Sequence, residues 1–471
     1  MDPNKTVIGA PQGVPPIPGG DPNRTVLGAP PIPGAPVPGA VPNATTRMAP
    51  MAPDAPSGPS LTVDIVPGRT ATMANGPARE AFLLQLHAGG GSDASFGGFT
   101  PAGSRTATNV CLVIDRSGSM EGPPLEAVKN ACGYVVDMLG PNDTLSIVTF
   151  AENVEVLMAP QRVTQKDPIK RGIANLQAGN TTDFHGGITL GLQQLTQGVE
   201  GRRASRMIVL TDGDPTAGIT EFAPITALAT GVKNAGASLT LLGFGPDYNE
   251  ELLAGMAKRA NGSYYYIATA DMLTEVFRAE MAKTLTTAAQ GITLDVKLSR
   301  WVGLRSPQTL NEGTATISIP DLERGATVEQ VLEFEFPNHP LGQYRVAACT
   351  LRYEDLATGA MESRALDLVM EFTADQGRYG APVDPRVAAA HQVAAASRAV
   401  EKTVMGLKTG VLTGVMAMQE LQKTQALLLS QGRNDEAKDV TMALRALQSG
   451  DSGSAEKTLL GTVLNLDQGK K

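Results

Sequence analysis

Residues 110–120 read VCLVIDRSGSM. The apolar run Val110–Ile114 ends on a carboxylate, Asp115. A stretch that is apolar on both faces is the signature of a strand buried in a parallel sheet, with helices covering both sides. Its last residue then stands at the carboxyl edge of the sheet, where ligands of open α/β folds bind. In an extended loop, residues two apart project to the same side, so Asp115, Ser117 and Ser119 can converge. One carboxylate and two hydroxyls make a hard, all-oxygen donor set of the kind Mg²⁺ accepts. Gly118 lets the backbone turn tightly beneath such an ion.

Working outward, four more short apolar runs follow: LSIVTF (145–150), MIVL (207–210), SLTLLGF (238–244) and SYYYI (263–267). Helical stretches separate them, so residues 106–284 are expected to form a parallel sheet with helices on each side. MIVL runs into Thr211-Asp212-Gly213-Asp214, which places Asp212 at the same sheet edge as Asp115. Between the two lies AGNTTDFHGG (178–187), a polar loop opening a helix, and it can add the hydroxyl of Thr182. A single D-x-S-x-S recurs by chance. Three matching pieces in order, two of them at strand ends, form a specific pattern.

With these residues in view, 106–284 resembles a von Willebrand factor type A domain, and DRSGSM with TDGDPT resembles its metal-ion-dependent adhesion site. The resemblance implies a Rossmann-like, mostly parallel six-stranded sheet, Mg²⁺ or Mn²⁺ as cofactor, and no catalysis. Carried over by position, the metal residues are Asp115, Ser117, Ser119, Thr182 and Asp212. The usual Gly-Gly-Thr or Gly-Ser-Thr appears here as Gly179-Asn180-Thr181-Thr182. Both threonines stay open as the ligand, with Thr182 favoured because Asp183 and a helix follow directly. The stretch YNEELLAGMAKRANGSYYYI also resembles the closing helix and strand of bacterial members.

Either side of this domain the periodicity changes to two. Leu61, Val63 and Ile65 alternate with polar residues, as do Phe82, Leu84 and Leu86; so do Ile292–Leu298, Leu332–Phe336 and Leu366–Phe372. Alternation means a sheet with one wet face. We therefore expect a β-sandwich split into 61–105 and 285–376, with the α/β domain inserted in it. Residues 384–471 read as a helical bundle. Val400, Val404, Leu407, Val411, Val415, Met418 and Leu421 line one face of a single long helix. Breaks at SQGRND and SGDSGS set off two shorter ones. Gly406, Gly410 and Gly414 form a small-residue stripe, expected to allow close packing.

The first sixty residues hold 16 of the 33 prolines and no aromatic residue. Such a composition cannot bury enough apolar surface to offset its ordering entropy, so residues 1–60 are expected to be disordered. They nevertheless repeat a word: DPNKTVIGAP (2–11) and DPNRTVLGAP (21–30). One reading is a flexible spacer. The other makes Thr6 and Thr25 phosphorylation sites for a Ser/Thr kinase, read by a forkhead-associated domain, because phosphothreonine adds charge and three strong acceptor oxygens.

Composition narrows the function. The length of 471 residues suggests two to four domains, and the balance of 39 basic against 47 acidic residues argues against a nucleic-acid binder. No apolar run reaches the roughly 18 residues of a spanning helix. The N-terminus has no charged segment followed by an apolar stretch, so no secretory leader is expected. Three scattered cysteines fit a reducing, cytoplasmic setting, with Cys111 and Cys132 in the core. His185 is read as capping or lining a helix start, and Arg116 as available to attract an acidic partner. The expectation is a non-enzymatic protein–protein interaction scaffold whose metal captures a Glu or Asp of a partner. The alternatives are a subunit coupled to a separate ATPase in a chelatase-like complex, or a Mg²⁺-dependent hydrolase. The second lacks a general base beside the site.

Overall fold

In the computed structural model, which describes residues 61–89, 105–199, 201 and 203–471, the strand Thr108–Asp115 is buried along its whole length. It lies inside a six-stranded sheet. From one edge the order is Val154–Arg162, Thr144–Phe150, Thr108–Asp115, Ala204–Thr211, Ala237–Phe244 and Ser263–Ile267. All neighbours are parallel except the first pair, an antiparallel hairpin. The Rossmann-like arrangement expected from the apolar runs is present. Asp115 and Thr211 end adjacent parallel strands, so the loops after them leave the same edge.

Helices cover both faces of this sheet. Pro123–Met138 and Ala270–Thr286 pack on one side, and Phe184–Gln197, Phe222–Asn234 and Glu250–Ala260 on the other, over two separate apolar clusters. Gly187 brings the helix Phe184–Gln197 down onto Phe150: a Cβ there would lie 2.6 Å from Phe150 Cδ1. This close approach sets the start of that helix, and with it the threonine loop, against the sheet edge.

The flanking strands form a sandwich. Ala78–Ala88 pairs antiparallel with Thr327–Phe336, joining the segment before the inserted domain to the segment after it. Leu61–Pro67 and Gly303–Ser306 complete that sheet; the facing one runs Thr314–Ser318, Thr287–Leu298, Gly342–Asp355, Met361–Thr373 and Ala71–Met73. One core, including Leu84, Leu294, Phe334, Leu351 and Phe372, fills the space between them. The strand Thr287–Leu298 follows directly from the last helix of the inserted domain.

The C-terminal region is helical, but not as expected. Four helices form, at Pro385–Lys408, Gly414–Ser430, Asn434–Gln448 and Ser452–Gln468. The single helix anticipated from Val400 to Leu421 stops at Lys408. Gly410 takes φ +69°, the left-handed conformation that ends helices; Leu412 N–H returns to Gly406 O at 2.9 Å; and Thr413 caps the next helix. Val411 and Val415, assigned to the buried stripe, are 76% and 62% exposed. Of the proposed glycine stripe only Gly406 is closely packed, under Leu412, while Gly410 and Gly414 face open space.

This bundle packs back onto the inserted domain. Lys457 Nζ donates to Tyr248 O at 2.9 Å and pairs with Glu250 at 3.0 Å, and Lys408 reaches Glu250 and Glu251 at 2.8 Å each. No described helix is long and apolar enough to cross a membrane. The repeated words with Thr6 and Thr25 lie outside the described residues.

Candidate metal site at the carboxyl edge of the sheet

Asp115 is fully buried at the end of its strand. One carboxylate oxygen accepts the Ser117 backbone N–H at 2.8 Å, and the other accepts the Thr211 hydroxyl at 2.5 Å. The Ser117 and Ser119 hydroxyls lie 3.2 Å apart, and Ser119 donates to Asp212 Oδ1 at 2.7 Å. Four of the five residues singled out from sequence thus form one continuous polar chain. Burial pushes the Asp115 carboxyl up to about 6, against the hydrogen bonds from Thr211 and Ser117, with Asp212 adding to the rise. Burial also raises Asp212, opposed by Ser119 and reinforced by Asp247. Neither carboxylate has a Lys or Arg partner among the described residues.

The threonine loop is tied in from both sides by backbone bonds. Gly118 N–H donates to Asn180 O at 3.1 Å, and Gly179 N–H to Arg116 O at 2.6 Å. On the other side Thr182 N–H donates to Thr216 Oγ1 at 2.9 Å, and Thr182 O accepts from Thr216 and Ala217. Thr182 is 4% exposed, and Thr181 is only partly buried. Asp183 caps the helix Phe184–Gln197 by accepting the Gly186 N–H at 2.8 Å, so the cap is Asp183 rather than His185.

Two supporting residues escaped the sequence reading. Thr211 holds Asp115 from the neighbouring strand, and Thr216 anchors the Thr182 loop. Their only local signal is a threonine at each place in TDGDPT, on either side of Asp212. Arg116 also differs from expectation. Its guanidinium is paired with Glu155 at 3.6 Å, with Glu152 close by across the position of Gly179. Its guanidinium thus has acidic neighbours within the chain.

The donor chemistry fits a small hard cation. Two carboxylates are held beside the Ser117 and Ser119 hydroxyls with no counter-cation among the described residues, and Thr182 is buried on the adjoining loop. An all-oxygen set with few charges suits an ion that keeps several water or ligand positions of its own.

The family model for the von Willebrand factor type A domain matches residues 109–279. The chain carries a von Willebrand factor type A domain. Similarity extends beyond that domain in an uncharacterized protein, sll0103, of Synechocystis, 29% identical over 67% of this chain and 77% of that protein. The uncharacterized protein YfbK of Escherichia coli is 29% identical, over 42% of this chain and 35% of its own length. Inter-alpha-trypsin inhibitor heavy chain H4 of Bos taurus is 28% identical, with 21% of its length matched. The fold is shared with a von Willebrand factor type A protein from Catenulispora acidiphila, at TM-score 0.63, 18% identity, 81% of this chain and 89% of that one. It is shared also with the ArnB paralog VWA2 of Sulfolobus acidocaldarius, at TM-score 0.59, 16% identity, 86% of this chain and 97% of that one. Both structural matches extend well beyond the type A domain alone.

Proposed function

We propose that this chain is a non-enzymatic interaction scaffold whose type A domain binds Mg²⁺ or Mn²⁺ through Asp115, Ser117, Ser119, Thr182 and Asp212. The reading rests chiefly on one observation: two buried carboxylates from adjacent strand ends, joined through Ser117 and Ser119, with no cationic side chain among the described residues to balance them. A cation held there by so few charges supplies an electrophilic position for the carboxylate of a partner's Glu or Asp. In this reading the side chains of the site hold and orient the ion and its ligand and transfer no proton. Calorimetric titration of Mn²⁺ is expected to give one site in the wild type, with affinity lost by at least about a hundredfold in Asp115→Ala and in Asp212→Ala. Unchanged Mn²⁺ binding in both variants would remove the proposal.

We also propose a cytoplasmic setting, supported by three buried free cysteines, and phosphorylation of Thr6 and Thr25 within the repeated words. Two copies of a phosphothreonine word raise the apparent affinity of a bivalent reader. Kinase-treated wild type should be retained by an immobilised forkhead-associated domain. The Thr6→Val/Thr25→Val variant should not be, and equal retention would point to another site.

A further inference from the structure

The loops that carry the metal residues are ringed with carboxylates. Glu121, Glu152, Glu155, Asp214 and Asp247 are all exposed. Each belongs to, contacts or acts electrostatically on the segments that form the site. Glu121 N–H donates to Gly118 O at 3.2 Å, and Glu152 accepts the Asn180 N–H at 2.7 Å. Glu155 holds Arg116, Asp214 stands two residues after Asp212, and Asp247 acts electrostatically on Asp212. In the edge segments 115–121, 150–155, 179–186, 211–221 and 244–249, Arg116 is the single Lys or Arg. Its side chain is only 13% exposed and is already paired with Glu155. Thr182 lies on the loop that Glu152 borders through Asn180.

An acidic rim around a site that takes a carboxylate is a conflict unless the ligand resolves it. The charge on Asp115 and Asp212 balances a divalent ion, so the rim itself is left as a negative field. At physiological salt such a field reaches about 8 Å, far enough to act on residues beside the one that touches the metal. A partner bearing several acids is repelled before its carboxylate arrives, whereas cations next to that carboxylate are attracted. Resting on the metal-capture reading above, we infer that the rim selects a partner whose metal-seeking Asp or Glu is accompanied within a few residues by Lys or Arg. Metal supplies the affinity for the acid, and the rim supplies the choice among acids.

The test uses the full chain with three short synthetic peptides. Each has one central glutamate, flanked two residues away on both sides by lysine, alanine or glutamate. Binding is followed by fluorescence anisotropy in Mg²⁺, with Mg²⁺ binding to the chain measured separately by calorimetry. The expected order is lysine, alanine, glutamate, with about tenfold between successive peptides at low salt and compression of the series at high salt. The triple variant Glu121→Lys/Asp214→Lys/Asp247→Lys changes exposed side chains only and should reverse the order. If Mg²⁺ binds but the peptides bind equally or not at all, or keep their order in the triple variant, the inference is overturned. If Mg²⁺ does not bind the wild type, the metal-capture reading itself fails, and the selectivity inference falls with it.

Discussion

In metal-free buffer at neutral pH, Asp115→Asn is expected to stabilise the chain by about 1–2 kcal/mol, and in saturating Mg²⁺ the order should invert. Burial lifts the Asp115 carboxyl to about 6 from its ordinary 3.8, despite two hydrogen bonds that favour the charged form. Ionising it at pH 7 therefore costs the folded state roughly 3 kcal/mol relative to the unfolded chain. Asparagine removes that charge while keeping one oxygen to accept from Ser117 or Thr211; losing the second acceptor reduces the gain.

The pH dependence follows from the same shift. Between about 4 and about 6 the folded metal-free chain binds more protons at this group than the unfolded chain does. This contribution makes the metal-free wild type gain stability as pH falls through that window, and the gap to Asp115→Asn closes. With Asp115 as a ligand in the proposed reading, protons and metal compete for the same carboxylate, so Mg²⁺ affinity should weaken over the same range. At a hundredfold excess over its dissociation constant, Mg²⁺ adds about 2.7 kcal/mol to the wild type and nothing to the variant. Chemical denaturation with and without Mg²⁺, from pH 5 to 8, measures all of this. Equal stabilisation of both chains by Mg²⁺ would place the ion elsewhere.

Glu280→Ala should be the most destabilising single change considered, at about 3–5 kcal/mol. Glu280 sits in the last helix of the type A domain, with its side chain 1% exposed. One oxygen is paired with Arg206, itself 5% exposed, and accepts the Thr240 hydroxyl at 2.7 Å. The other accepts the Tyr265 hydroxyl at 2.7 Å and meets Lys283 at 3.0 Å. Burial works to raise this carboxyl, but Lys283 and Arg206 outweigh it, and it is held well below the usual carboxylate range. Truncation leaves the buried Arg206 charge without its hydrogen-bonded acid, with only the electrostatic pull of Asp321 and Glu323 remaining. The double variant Arg206→Met/Glu280→Met removes both charges and should recover most of the loss. Denaturant melts of the single and double variants decide it. A loss below about 1 kcal/mol for Glu280→Ala would show that the pair does not hold the helix to the sheet.

The parts of the site legible in sequence were those with a local signature. A buried parallel strand is an unbroken apolar run, and the polar residue that stops it must lie at the sheet edge. That logic placed Asp115 and Asp212 without any tertiary information. Ser117 and Ser119 followed from the side-chain alternation of an extended loop. The helical tail shows the limit of periodicity. The spacing from Val400 to Leu421 matches a helix throughout, yet Gly410 and Thr413, both visible in the sequence, break it. A left-handed glycine followed by a capping threonine makes two helix ends at low cost, and no apolar partner faces Val411 to favour continuation.

By itself, then, the sequence determined which residues end the strands, the order of sandwich, inserted domain and helices, and the oxygen character of the proposed donor set. Only the tertiary structure decided what surrounds those donors. Thr211 and Asp115 are 96 residues apart, and Thr216 and Thr182 are 34 apart. Arg206 and Glu280 are separated by 74 residues. The engagement of Arg116 by Glu155 depends on how the edge hairpin folds back beside the site. Each of these contacts joins loops or elements brought together by strand pairing, and the pairing is driven by apolar burial spread over the whole sheet. No short window of sequence carries that information, because the same side chain is a surface charge or a buried partner according to which element lies opposite it.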